Sequence, residues 1–318
     1  MYNIPILFII FKRPDTTLQV FEQIKKIRPK QLFIAADGSR PDKEGENELC
    51  EQTRNLVINN IDWQCEVKTQ FRDTNLGCGL GPCTAINWFF EHVEEGVILE
   101  DDCVPDPSFF NYCELLLERY RNNETIMSIS GDNFQNGIKR GDGSYYFSNI
   151  FHGWGWATWK RAWNLNDFYM KKWPEFKKQG LLEVCNNDIQ KFNYWSLILD
   201  STYTKTINAD PWDYQFLFSI WYNKGMSIHP NMNLVSNIGF GNGATHTTDT
   251  SNKLGDMKVE RYDNDIIPAL VEVNEAADDY TFYNVYNSPF QTTIDIQSKS
   301  ALTFRDKFYL FRKQLLKR

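Results

Sequence analysis

Long apolar runs are missing from this sequence. The longest, Ile4 to Phe11, contains Pro5 and falls far short of the ~18 residues a membrane-spanning helix needs. Lys12-Arg13-Pro14 follows it, where a signal peptide would carry small residues, so the run reads as a buried first strand. Positive charge is scarce too: 34 Lys and Arg against 41 Asp and Glu leave a net charge of -7, which excludes a generally basic nucleic-acid binder. The seven cysteines (Cys50, Cys65, Cys78, Cys83, Cys103, Cys113 and Cys185) are an odd number without CxxC spacing. Free thiols in a reducing cytosol fit them better than a disulfide framework. No internal repeat and no linker is present. What the chain has in quantity is apolar surface, with 42% hydrophobic and 15% aromatic residues among 318. That suffices to offset conformational entropy, so the expectation is a globular chain of one large domain or two small ones.

The N-terminal third alternates short apolar runs with helical patterns, the signature of a parallel sheet covered by helices. Ile6 to Phe11 is the first strand. A helix capped by Asp15, or one residue on by a capping box of Thr16 with Gln19, should follow, with Leu18, Phe21, Ile24 and Ile27 on one face and Pro29 as its stop. Gln31 to Ala36 is the second strand, and a helix and strand lie between Leu49 and Phe71. A helix from about Pro82 to Val93 leads into the strand Gly96 to Leu99, and Ile126 to Ser130 is a further buried run. Tryptophans crowd the region from 145 to 225, and a glycine-rich stretch follows from Asn237 to Thr247. No strand-turn-helix pattern surrounds those glycines, so they are not a dinucleotide fingerprint.

Three of the apolar strands end in carboxylates: Asp37, Glu100-Asp101-Asp102, and Asp132. The C-terminal edge of an open α/β sheet is where ligands bind. Three adjacent ionised acids cannot all be buried without partners. A solvated turn is one account of Glu100-Asp101-Asp102. Its place directly after Val97-Ile98-Leu99 favours another: two oxygen ligands on a short turn suit Mg²⁺ or Mn²⁺, whose remaining positions go to phosphate oxygens.

The stretch from Gly96 to Phe110, with Glu100-Asp101-Asp102 followed by Pro105-Asp106 and Phe109-Phe110, resembles the acidic metal-binding motif of GT-A glycosyltransferases of the N-acetylglucosaminyltransferase I type. The resemblance extends to Pro5–Pro14, Ala36-Asp37-Gly38, Phe151-His152-Gly153-Trp154-Gly155-Trp156 and Gly243-Ala244-Thr245-His246, and so covers roughly residues 4 to 247. It is similar to a soluble, bacterial family 2 enzyme that uses a nucleotide-diphosphate sugar, and it implies a Rossmann-like GT-A fold, a mostly parallel sheet with helices on both faces. The resemblance implies that Asp102 holds the metal, Mn²⁺ or Mg²⁺, with His246 completing the site. It puts Asp101 near the donor ribose or sugar, Glu100 near the sugar hydroxyls, Asp37 on the base and Arg13 on phosphate. No counterpart of the family's donor-base histidine stands near Gly79-Leu80-Gly81, which leaves uridine as the inferred base.

An inverting transfer needs a carboxylate to take the proton from the acceptor hydroxyl. Asp213, at the start of an expected helix Tyr214 to Tyr222, is the candidate, with Asp210 in reserve; a helix-capping role for Asp213 stands beside that reading. Trp154 and Trp156 can offer indole faces to a sugar, while Trp159 and Trp163 are expected in the core. The implied division is a catalytic domain over 1–248 (donor-binding half about 1–135, acceptor-side half about 136–248), an irregular extension over 249–300 and a basic amphipathic helix over 301–318. That last segment carries six basic residues and one acid, with Phe304, Phe308, Phe311 and Leu315 at helical spacing. It suits either docking on the domain or contact with an anionic membrane at the cytoplasmic face, where a lipid-linked saccharide acceptor of polysaccharide biosynthesis would be met. Rival readings are a retaining transferase, a sugar-phosphate nucleotidylyltransferase, a glycoside hydrolase and a non-catalytic carbohydrate-binding protein. The nucleotidylyltransferase reading is weakened by Lys12-Arg13-Pro14-Asp15, which stands where a glycine-rich phosphate loop would be.

Overall fold

The computed structural model describes residues 1–205, 211–240 and 254–286. Strands and helices alternate at first: β1 (Ile6–Ile10), α1 (Pro14–Ile27), β2 (Gln31–Ala36), α2 (Glu46–Asn59), β3 (Glu66–Phe71), α3 (Gly77–His92) and β4 (Glu95–Glu100). Next come β5 (Cys103–Pro105), α4 (Pro107–Tyr120), β6 (Ile126–Ser130), β7 (Tyr145–Ser148) and β8 (Trp156–Trp159). Three short helices, α5 (Lys160–Trp163), α6 (Trp173–Gln179) and α7 (Leu181–Val184), lead to α8 (Ile189–Tyr203) and α9 (Asp213–Tyr222). The described chain closes with β9 (Met226–Pro230), β10 (Val235–Asn237), α10 (Glu275–Thr281) and one π-helical turn, Phe282–Tyr286.

Eight strands form the central sheet in the order β3-β2-β1-β4-β8-β6-β9-β7. β1 pairs in parallel with β2 and β4, β2 with β3, and β6 with β9, whereas β8 and β7 run against their neighbours. β5 and β10 make a separate antiparallel pair. Alternation along the strands divides the core. Ile6, Phe8 and Ile10 of β1 join Phe109 and Leu116 of α4 on one face, while Leu7 joins Phe33, Phe89 and Phe216 on the other. A sheet covered on both faces has strands that are apolar throughout, which is why β1, β2 and β4 show as continuous runs in the sequence.

Several expectations need correction. α1 buries Thr17, Val20, Phe21 and Ile24 and leaves Leu18 exposed. Its N-cap is Arg13, and Pro14 takes the first turn, where a missing N–H costs nothing. α3 begins at Gly77, five residues before Pro82, because the Asp37 carboxylate at the end of β2 accepts hydrogen bonds from the amides of Leu76 and Gly77 at 2.9–3.0 Å. A cap supplied from forty residues away leaves no local signal. Over residues 254–286 the chain is irregular up to α10 and is tied to the rest of the fold at separate points. Tyr262 is a core residue, the Ile266 carbonyl accepts from Ser144 N, and Val273 bridges to Phe147 of β7.

Candidate active site at the sheet edge

The register of β1 with its neighbours sets Ile10 beside Ala36 and Ile9 beside Glu100, so the residues that follow these three strands meet above β1. Asp101 is buried, 4% exposed, and accepts from the Phe11 amide at 3.1 Å. The Arg13 guanidinium lies between the two aspartates, donating to Asp101 Oδ1 and, at 2.8 Å, to Asp102 Oδ2. Burial works against the charge of Arg13, but the two carboxylates more than offset it and raise its pKa. Asp101 is pushed up to about 6 by burial, with Arg13 opposing the shift. Glu100 rises further, to about 8, through burial and the fields of Asp102 and Asp101. The turn therefore holds more negative charge than one arginine neutralises.

Two other segments close on this turn. The antiparallel pairing of β10 with β5 sets Asn237 beside Cys103, and the Ile238 amide donates to the Asp102 carbonyl at 2.9 Å. Gly239 then crosses the carboxylate so closely that a Cβ there would stand 2.0 Å from Asp102 Oδ2. Only glycine can approach Asp102 and Arg13 that closely. From the other side comes the N-terminus of α9. The Trp212 indole donates to Glu100 Oε1 at 3.2 Å, and Asp213 is close enough for its charge to raise Glu100. Asp213 is the first residue of α9 with Trp212 as the cap position, and its Oδ1 accepts from the next amide, Tyr214 N, at 2.9 Å.

Arg13, Glu100, Asp101, Asp102 and Asp213 are thus brought together. Asp37 stands at the end of β2, on the far side of β1 from the acidic turn, its oxygens taking amides of Gly38, Leu76 and Gly77 at 2.9–3.1 Å, which fixes the first turn of α3. Trp154 is half-buried, edge-on to Phe240 at 5.7 Å and to Phe134 at 5.2 Å, and forms a wall next to Gly239. Trp156 is not a sugar platform. It is wholly buried in β8 and stacks on Trp212 at 5.5 Å, so it buttresses the indole that reaches Glu100. Asp210, His246 and the segment 301–318 lie outside the described residues.

A second polar group sits at the same sheet edge, between β6, β8 and β9. Asp132, His152 and His229 converge there, all buried, with one oxygen or nitrogen from each within 4.8 Å of the others. Sequence reasoning noted Asp132 only as a strand-end acid and His152 only within the Phe151–Trp156 motif; His229 was not singled out. The available signal was scarcity, since the chain has only four histidines and these two stand among apolar neighbours.

Among the described residues no helix is long and apolar enough to cross a membrane. No protein-family model matches the chain, and no curated protein matches its sequence. Among solved structures it is similar to HddC from Yersinia pseudotuberculosis at 10% identity, with a TM-score of 0.31 over 51% of this chain and 78% of that one. HddC from Yersinia pseudotuberculosis complexed with GMP-PN is similar at 11% identity, with a TM-score of 0.29 and the same coverage. UDP-glucose pyrophosphorylase complexed with UDP-glucose is similar at 10% identity, with a TM-score of 0.37 over 71% of this chain and 90% of that one. Likenesses this loose leave the chemistry of the site to be read from its own residues.

Proposed function

We propose that this chain is a metal-dependent, inverting glycosyltransferase that moves a sugar from a nucleotide-diphosphate donor, a UDP-sugar, to a saccharide or lipid-linked saccharide acceptor. The observation that carries this reading is the acidic turn after β4. Its three carboxylates exceed the one guanidinium, which bonds two of them, and Gly239 lies so close to Asp102 Oδ2 that no side chain fits between. That donor set, hard oxygens on a short turn, fits Mn²⁺ or Mg²⁺. Asp102 is the residue that would hold the ion, with His246 as a further ligand; the ion would offset negative charge on the leaving diphosphate.

The chain's own groups divide the remaining work. Arg13 holds Asp101 and Asp102 in place and presents positive charge toward the donor phosphates. Trp212 fixes Glu100 through its indole N–H, and a protonated Glu100 can donate a hydrogen bond to a sugar hydroxyl. Asp213, at the start of α9, takes the proton from the acceptor hydroxyl as it attacks the anomeric carbon. Asp37 and the first turn of α3 border the place of the base. Trp154 lines the acceptor side. The segment 301–318 would hold the enzyme to an anionic membrane surface; its deletion should lower sedimentation with anionic vesicles while activity on a free acceptor persists.

The test is a product assay with nucleotide-diphosphate sugars, Mn²⁺ and a saccharide acceptor. Metal-dependent release of nucleoside diphosphate with an inverted glycosidic product supports the reading, and a retained anomer would make this the retaining transferase. Pyrophosphate release from a nucleoside triphosphate and sugar phosphate would replace it with nucleotidylyl transfer. Cleavage of a glycan without any nucleotide would replace it with hydrolysis.

A further inference from the structure

Residues 275–286 lie beyond the catalytic domain expected over 1–248, yet the fold holds them from several directions. The Asn274 amide donates to the Phe147 carbonyl of β7 at 2.8 Å, and Asp278 accepts from the Asn149 amide at 3.0 Å. Gln135, in the chain leaving β6, donates through Nε2 to Thr281 Oγ1 at 2.7 Å and to the Ala277 carbonyl at 3.2 Å. Lys191 of α8 pairs with Asp279, and the Tyr283 hydroxyl donates to Asp188 at the start of the same helix. Phe282 is buried in the core shared with α8 and α9. Side-chain anchors of this density fix where the π-helical turn Phe282–Tyr286 ends.

What the anchors position is Tyr286. Its ring meets Trp195 of α8 edge to face at 5.2 Å and lies 6.5 Å from Tyr194, and Trp195 meets Tyr214 of α9 at 6.4 Å. Tyr214 follows Asp213 directly, so tyrosines from α8, α9 and the π-helical turn surround one indole next to that carboxylate. Trp195 is buried, whereas Tyr194, Tyr214 and Tyr286 are each only partly covered. Burial raises the Tyr286 phenol well above its ordinary range, and the fields of Tyr214, Asp213, Asp132 and Asp278 add to the shift. A phenol reached by carboxylates from α9, α10 and the chain leaving β6 stays protonated, with its hydroxyl end turned toward those acids.

We propose that Tyr286, held by the strap 275–286, forms with Tyr214 a subsite for the acceptor saccharide beside Asp213. This assignment rests on the transferase reading above and adds to it a binding role for the C-terminal part of the chain. A pyranose ring has apolar C–H faces and a rim of hydroxyls. A partly covered aromatic ring takes such a face, and carboxylates at its edge take the hydroxyls. Tyrosine supplies the flat surface together with a polar tip, which an aliphatic side chain cannot do. Asp213 then stands at the rim, where an acceptor hydroxyl gives up its proton. Tyr286 is a binding residue in this arrangement, and the strap contacts at Gln135, Lys191 and Asp188 position it.

Two readouts on the full-length chain test this. One is steady-state transfer from UDP-glucose with Mn²⁺ to the methyl glycosides of glucose, galactose and N-acetylglucosamine. The other is saturation-transfer NMR of the same glycosides, which needs no turnover. Tyr286→Ala should raise the acceptor KM roughly tenfold and weaken glycoside binding to match, with donor KM unchanged, while Tyr286→Phe, which keeps the ring, stays within about twofold of the parent. Tyr283→Phe removes the strap contact to Asp188 and should lower Tm without moving the acceptor KM. An acceptor KM in Tyr286→Ala equal to the parent's would overturn the subsite and leave the transferase reading standing. A rise in Tyr283→Phe as large as that in Tyr286→Ala would overturn it as well, since loosening the strap would then suffice. Glycoside binding that Tyr286→Ala removes, in a chain that transfers no sugar, would keep the subsite and overturn the transferase reading. No glycoside binding by the unsubstituted chain would overturn the subsite. If Tyr286→Ala does not fold, Tyr286→Leu, which fills the space without a flat face, takes its place.

Discussion

The acidic turn after β4 and the buried Asp132, His152 and His229 group stand at the same edge of one sheet, yet they balance charge in opposite ways. At the turn the chain supplies a cation of its own, Arg13, which bonds Asp101 and Asp102, and a glycine lies against the second aspartate. In the buried group His152 and Asp132 bond each other, and Asp132 Oδ2, His152 Nε2 and His229 Nδ1 have no hydrogen-bond partner among the described residues. The acidic turn, partly neutralised by one guanidinium, can still take a further cation; in the enclosed group burial acts against charge and holds both imidazoles neutral. Burial and charge balance together, rather than residue type, set the two groups apart.

The largest expected effect falls on the accessible side. Asp213→Asn should lower turnover by about a hundredfold or more and leave donor affinity unchanged, since the role proposed for Asp213 is toward the acceptor. Steady-state kinetics on donor and acceptor would show it. Near-normal turnover would return Asp213 to the start of α9 as a purely structural residue.

Arg13→Met should come next, in stability. It leaves Asp101 buried with only the Phe11 amide as partner. Removing one member of a buried pair costs roughly 3–5 kcal/mol; because Arg13 is partly exposed, about 2–3 kcal/mol is expected by urea unfolding. Added Mn²⁺ should restore part of that loss, replacing the lost cation. No loss of stability would mean that the acidic turn needs no cation of its own.

A third region sharpens the comparison with a smaller effect. Asp278 is buried like Asp132, but here the chain supplies donors, Ser148 Oγ and the Asn149 amide at 3.0 Å. Burial still raises Asp278 to about 7, against ~3.9 in an unfolded chain. The folded protein thus holds a proton that the unfolded chain releases. The stabilisation this brings is fully present below about pH 4 and is lost as pH rises through about 7, at up to about 1.4 kcal/mol per pH unit. Asp278→Asn should flatten that part of the dependence in unfolding midpoints taken from pH 4 to 8. A slope unchanged from the parent protein would show that Asp278 is ionised throughout.

How much of this was written in the sequence follows the same division. β1, β2 and β4 were legible because buried parallel strands are apolar throughout, and the acids ending them mark the ligand edge. Trp156 misled because its fate depends on strand parity: in β8 it points to the face holding Trp212 and Phe216, while Ala157 points to the other. Leu18 fell on the wrong side of α1 for a related reason, since Thr17 takes the buried position beside it. The Asp132, His152 and His229 group was invisible because residues 132, 152 and 229 meet only through the reversal of β8 and its pairing, with β9, on β6. Nothing local carries that information.

The central claim is that Asp102 supports metal-dependent binding of a nucleoside diphosphate, and calorimetry of UDP with the full chain tests it most directly, with and without Mn²⁺, against Asp102→Asn. The account predicts Mn²⁺-dependent binding that Asp102→Asn abolishes while its unfolding profile stays close to that of the parent. UDP affinity in the variant equal to the parent's, with Mn²⁺ present, would contradict it.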